Sequence, residues 1–295
     1  MIGLRRASLL LALAGTLSVT ACGRNANRSV PGAVARPVAA VTIFPIGDIT
    51  ATIAGSAADV IVMLPAGASP ATFEPTPDLV RRVARARLLV AVGAGLDTWA
   101  VGLAQGTDAR LVTLAAGMTL DHGNPHVWLD PILVRDVLLP RITDALVELA
   151  PAAAPQIRAR AAIYRQSLDA LDRGIRADFA HLDSRAFVAT HPAWPYFAAR
   201  YGLHEVGVLF PSPGREASPR EFAALVDRAR AAGVRAVFTE PQLGDASARA
   251  LADELHARVA MLDPLGGPSL TGRDSYLALL RFDARQFART LGGVP

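Results

Sequence analysis

Short apolar runs rich in Val, Ile and Leu alternate along the chain with stretches whose apolar residues recur at helical spacing. That alternation is the signature of an α/β protein with parallel sheets. Four strands are predicted at 41–44, 60–64, 88–92 and 111–114, and four more at 186–189, 205–209, 236–239 and 259–262. Helical patterns fall between them, for example over 77–86 and 219–232. The halves repeat the same alternation without a clear sequence repeat. Between them, 131–149 reads as a helix, with Asp130 placed to cap it and Pro131 at its first position. After Pro151 and Pro155, residues 156–182 contain a single Gly and no Pro. Ile163, Leu168, Leu171, Ile175 and Phe179 recur there at roughly helical spacing. At about 1.5 Å per residue such a helix reaches about 40 Å, enough to cross a domain. The expected fold is two Rossmann-like α/β lobes with parallel sheets, 38–150 and 184–295, joined by one long rigid helix within 151–183.

The N-terminus has a different pattern. Arg5 and Arg6 precede an apolar run over 7–19, the layout of a secretory signal, and the run is too short for a spanning helix of about 20 apolar residues. It ends in Val19-Thr20-Ala21-Cys22, which resembles a bacterial lipobox. Residues 1–21 are therefore expected to be a lipoprotein signal peptide, with Cys22 lipidated, and 22–37 a polar, Gly- and Pro-containing linker. The expected location is extracytoplasmic, on a lipid tether to the cell membrane, in the periplasm or on the outer face. Cys22 is the only Cys in the chain, so the exported body has no disulfide and no thiolate to offer a metal.

Composition narrows the function. Hydrophobic residues make up 52% of the 295 residues, enough to build a sizeable core and against disorder. The formal net charge is +4, and every basic residue is Arg. These arginines are scattered on helical faces beside Asp or Glu, with no basic stripe interleaved with aromatics, so no nucleic-acid partner is expected. Neither a phosphate-binding P-loop nor a Gly-x-Ser-x-Gly elbow is present. An enzyme is not expected, and the body is expected to be a monomer.

Ligands of open α/β sheets bind beyond the C-terminal ends of the strands. Those ends run into Thr190-His191-Pro192, Glu240-Pro241-Gln242 and Asp263-Pro264-Leu265, and His126 lies in the loop after the fourth strand. Two imidazoles and a carboxylate suit Zn²⁺, whereas Mn²⁺ or Fe²⁺ usually wants more oxygen. His126, His191 and Asp263 are the candidate metal ligands, with Glu240 a fourth possibility. Trp128, Trp194, Tyr196 and Phe197 are expected to pack around the cleft. His181, His204 and His256 read as surface or packing residues, and Asp48 as the cap of the helix following the first strand.

The loops GASPATFEPTP (67–77), NPHVWLDP (124–131), ATHPAWPYFAARYGL (189–203), GREASPRE (214–221), VFTEPQ (237–242) and MLDPLGG (261–267) resemble those of the substrate-binding lipoproteins of zinc and manganese ABC importers. They occur in that family's order and cover nearly all of the chain beyond the signal segment. The resemblance implies capture of a divalent cation in the inter-lobe cleft and its delivery to an ABC permease in the membrane. It also implies that His126, His191 and Asp263 are ligands, and that Glu240 is a hydrogen-bonding or capping residue. His at 191 points to zinc, with manganese the alternative.

Two departures matter. The family's first ligand is a His two residues before the Phe of FEPTP, where this chain has Ala71, and the His-rich loop before PHVWLDP is reduced to His122. Water, His122, Glu74 or a small molecule already chelating the metal could complete the coordination. Two other readings stay open: a degenerate paralogue that binds a metal–chelator complex, and an adhesin or envelope interaction protein on the same scaffold.

Overall fold

Two four-stranded parallel sheets carry the framework. In the first, β1 (Val38–Val41), β2 (Asp59–Val62), β3 (Ala86–Ala91) and β4 (Arg110–Thr113) lie in the order β2-β1-β3-β4. In the second, β5 (Ala186–Ala189), β6 (His204–Val208), β7 (Ala236–Thr239) and β8 (Arg258–Met261) repeat that order as β6-β5-β7-β8. The structure, a computed structural model, describes residues 35–292. The predicted signal segment, Cys22 and all but the last three linker residues lie outside them. No helix among the described residues is long and apolar enough to cross a membrane.

In each sheet the strand order reverses beside the first strand, so a crevice opens beyond the C-terminal ends of β1 and β3, and of β5 and β7. The strands there are buried, as parallel strands covered on both faces must be: Ala40, Val41, Val90, Val188, Ala189, Val237 and Phe238 are all fully inaccessible. β1 lies three residues earlier than predicted, because Phe44 already belongs to α1 (Phe44–Ala54). Pro45 sits in the first turn of α1, where a missing N–H costs nothing. The loop after β3 is held by the buried Asp97, whose carboxylate accepts from the N–H groups of Val92 (2.7 Å) and Gly93 (2.9 Å). Gly93 has φ 86°, and a Cβ there would meet Thr113 Cγ2 at 2.2 Å.

The helices of the first half are α2 (Pro77–Val83) and α3 (Thr98–Gln105), then α4 (Pro131–Leu133) and α5 (Leu139–Leu149). The predicted helix over 131–149 is interrupted by a π turn at Val134–Leu138. Pro140 cannot donate a backbone hydrogen bond, and widening the turn before it accommodates that loss. The connector is α6 (Ala154–Asp178), 25 residues long, about 38 Å at about 1.5 Å per residue. Its buried seam is Ile157, Ala161, Tyr164, Leu168, Leu171 and Ile175, spaced by alternating fours and threes. Ile163, expected on that seam, is 64% exposed instead.

The second half adds α7 (Pro195–Tyr201), α8 (Pro219–Ala231), α9 (Ala246–Leu255) and α10 (Tyr276–Leu291). From β8 the chain enters α10, which returns to pack on α1 and α6. Asp48, expected to cap α1, lies inside it, and its carboxylate accepts from the N–H of Tyr276 (2.8 Å), thereby capping α10. The halves are therefore tied by α10 as well as by α6. One hydrophobic core runs from Ile46 and Ile53 of α1 through Leu168 of α6 to Phe187 and Phe287, and the described residues from Arg36 onward form one compact unit.

Candidate metal centre

The loop after β4 is pinned before it reaches His126. Tyr196 of α7 accepts from the N–H of Asp121 (3.1 Å) and donates to the carbonyl of Asn124 (2.8 Å). The Asn124 side-chain oxygen then accepts from the backbone N–H (2.9 Å) and from ring Nδ1 (2.8 Å) of His126. Its amide nitrogen donates across the cleft to the carbonyl of Pro192 (2.6 Å), next to His191. Beyond His126 the fully buried Trp128 donates to the carbonyl of Pro264 (2.7 Å), with its ring centroid 5.0 Å from the imidazole. Asp130 caps α4 at the N–H groups of Ile132 and Leu133 and pairs with Arg200 at 2.9 Å. His126 is thus fixed from both sides by contacts reaching the second half.

His191 follows β5 at the strand-order reversal. Its Nδ1 lies 2.5 Å from the carboxylate of Glu240, which follows β7 and is 3% exposed. The indole of Trp194 also points at Glu240, 3.4 Å from its other oxygen. The two imidazoles meet with Nε2 of His126 and Nε2 of His191 3.3 Å apart. The Asn124 oxygen accepts from Nδ1 of His126, which assigns that ring's proton to Nδ1 and leaves a lone pair on its Nε2, whereas Nδ1 of His191 lies against Glu240 without a formed hydrogen bond. Two imidazole nitrogens facing at that distance are satisfied by a shared proton or by a shared cation. For tetrahedral zinc with Zn–N of about 2.0–2.1 Å, two ligand nitrogens stand about 3.3–3.4 Å apart, which matches the observed separation. Burial, and then the neighbouring His191, hold the His126 imidazole well below its ordinary pKa, so it is neutral and ready to ligate. An Nδ1 held by a carboxylate or amide is the usual support of a metal-binding imidazole.

Asp263 is not brought onto this pair. Its Oδ2 pairs with Arg273 at 2.6 Å, and its Oδ1 accepts from Gln242, Leu265 N–H and Gly266 N–H at 3.0–3.1 Å. The carboxylate is 1% exposed, and its own N–H donates to the fully buried Asp283, whose carboxyl burial raises well above the usual range. Among the described residues no group of three or more His, Cys, Asp or Glu is gathered closely enough to hold a metal. Nothing in the residue pattern pointed to Arg273 as the partner of Asp263. Asn124 was visible only as the first residue of its motif, without a role.

The pair opens into a cavity of about 760 Å³ lined from both halves. Pro70, Ala71 and Leu96 face it from the first half, and Pro192, Phe210 and Leu243 from the second. His122 is at the rim with its side chain 98% exposed, turned towards Asp121 at 3.8 Å. Glu74 is exposed and does not line the cavity. Trp194 and Phe197 are fully buried behind it, and His181, His204 and His256 are exposed.

Comparison with known proteins gives a consistent set of relatives. The zinc-binding lipoprotein AdcA of Streptococcus pneumoniae is 28% identical over 294 residues, covering 92% of this chain and 57% of its own length. The high-affinity zinc uptake system protein ZnuA of Bacillus subtilis is 27% identical over 288 residues, covering 90% of each. The chain spans about half the length of the streptococcal relatives it matches. A crystal structure of ZnuA superposes with a TM-score of 0.79 at 28% identity, over 87% of this chain and all of that one. The profile of zinc-uptake complex component A, periplasmic (ZnuA) matches residues 40–290, and the chain belongs to that family.

Proposed function

We propose that this chain is the extracytoplasmic solute-binding component of a metal ABC importer, which captures a divalent cation, zinc in preference to manganese, and delivers it to a membrane permease. The observation that carries this reading is the 3.3 Å approach of the two Nε2 atoms on the wall of the inter-lobe cavity. His126 and His191 are the donors in this reading. Asp263 becomes a third donor only by exchanging Arg273 for the ion. The zinc-binding names of the relatives and the lipoprotein name of AdcA support the cargo and the tether at Cys22. The cation is cargo, and the chain performs no reaction on it. We further propose that the body acts as a monomer.

Calorimetric titration of the soluble body with zinc tests the site. The parent binds one zinc, and His126→Ala or His191→Ala weakens binding on the order of 100-fold or more. Parent-like affinity in both variants would remove the proposed site. For the tether, Cys22→Ala is expected to move the protein from the membrane fraction to the soluble fraction, and membrane retention of that variant would rule out the lipid anchor.

A further inference from the structure

The protein supplies only part of a zinc coordination shell, yet it surrounds that part with far more room than an ion needs. Two imidazole nitrogens face the cavity. The nearest further carboxylates are committed: Glu240 stands behind His191, and both oxygens of Asp263 are engaged, one by Arg273 and the other by three N–H donors. No third His, Cys, Asp or Glu joins the pair among the described residues. Zinc usually takes four donors, so two positions on the cavity side remain to be filled from outside the protein. A cavity of about 760 Å³ falls in the range of sites for small organic molecules, about 300–1,000 Å³. Its wall is mostly apolar, with Pro70, Leu96, Pro125, Pro192, Phe210 and Leu265 around the histidine pair, and such a wall favours an organic body over a cluster of waters.

We propose that the cargo is a zinc chelate, held as a ternary complex of the two imidazoles, the ion and one small bidentate organic molecule whose apolar body fills the cavity. This rests on the reading of His126 and His191 as zinc donors. Charge narrows the chelator. Imidazoles bind a metal in their neutral form, and the ion brings two positive charges to a site backed by the buried carboxylate of Glu240. A single further negative charge balances them, which selects a chelator offering one carboxylate oxygen and one neutral nitrogen, as amino acids and pyridine-carboxylates do.

Equilibrium dialysis of the soluble body against zinc with picolinate, each measured separately, tests the proposal. The expected result is retention of zinc, picolinate and protein in equal amounts, with both small molecules lost in His126→Ala. Glycinate and quinoline-2-carboxylate offer the same donor pair with smaller and larger apolar bodies. Retention is expected to strengthen on the order of tenfold from glycinate to the quinoline. Zinc retained while every chelator stays outside would overturn the chelate proposal and leave the zinc reading standing. Neither zinc nor chelator retained would overturn both.

Discussion

At the scale of single residues, the proposed site is a pair of imidazoles with an oxygen against each Nδ1. Asn124 holds Nδ1 of His126, so Nε2 of that ring presents its lone pair, and the Glu240 carboxylate lies against Nδ1 of His191. Glu240→Gln keeps the shape but removes the charge behind His191, and zinc affinity is expected to fall about 10–100-fold. Calorimetry on the variant checks this, and an unchanged affinity would mean that the carboxylate does not support the ligand. Ala71 lines the same cavity, so Ala71→His introduces a third imidazole at the wall and is expected to tighten zinc binding in the same measurement. The candidate donors were visible as residue types at strand ends, and the resemblance of their loops singled out His126, His191 and Asp263, of which the first two lie together in the structure. The engagement of Asp263 was not legible, because Arg273 reaches it from a turn closed by backbone hydrogen bonds between Gly267, Leu270 and Arg273 that no periodicity announces.

At the scale of elements, local pattern explains most of the framework and tertiary contact explains the exceptions. All eight strands lie where β-branched and apolar runs placed them, within three residues, and the central strands β1, β3, β5 and β7 are the buried ones. The π turn before α5 was hidden because Pro140 reads as an interruption or as a tolerated first-turn proline with equal ease. The end of α1 is a second tertiary effect. Arg160 of α6 donates to the carbonyls of Ile53 and Ala54 at 2.6 Å each, closing the C-terminus of α1 from another element. Charged donors on helix-end carbonyls are worth about 1.5–3 kcal/mol each when well ordered. Arg160→Ala is therefore expected to lower the urea midpoint by about 2 kcal/mol of stability with an unchanged slope. A parent-like midpoint would show that water replaces the guanidinium at no cost.

At the scale of the molecule, α6 and α10 tie the halves together, and one continuous core passes beneath the cleft. Such a frame favours small shifts of the cleft loops over wide closure. The need for the second tie was not visible in the pattern of α10, whose apolar residues could have served one lobe alone. A largely buried acid of β6 contributes to the pH response of the fold. Burial first, and then the charge of Glu240, raise the Glu205 carboxyl from 4.5 to about 8. A carboxyl that folding keeps protonated contributes stability below its unfolded pKa, and that contribution is lost as pH rises through the folded one. Thermal stability attributable to this group is therefore expected to decline between about pH 4.5 and about pH 8. Comparison of melting curves for the parent and Glu205→Gln isolates it: the variant should lose this part of the slope, and identical pH profiles would contradict the assignment. Metal binding runs the opposite way, since both imidazoles must be neutral to ligate.

The central claim is that two imidazoles from opposite halves share one ion. X-ray absorption at the zinc edge of the loaded protein tests it without relying on affinity. Two imidazole nitrogens are expected in the inner shell at about 2.0–2.1 Å, one of them lost in His191→Ala. A zinc shell without imidazole scattering in the parent would contradict it.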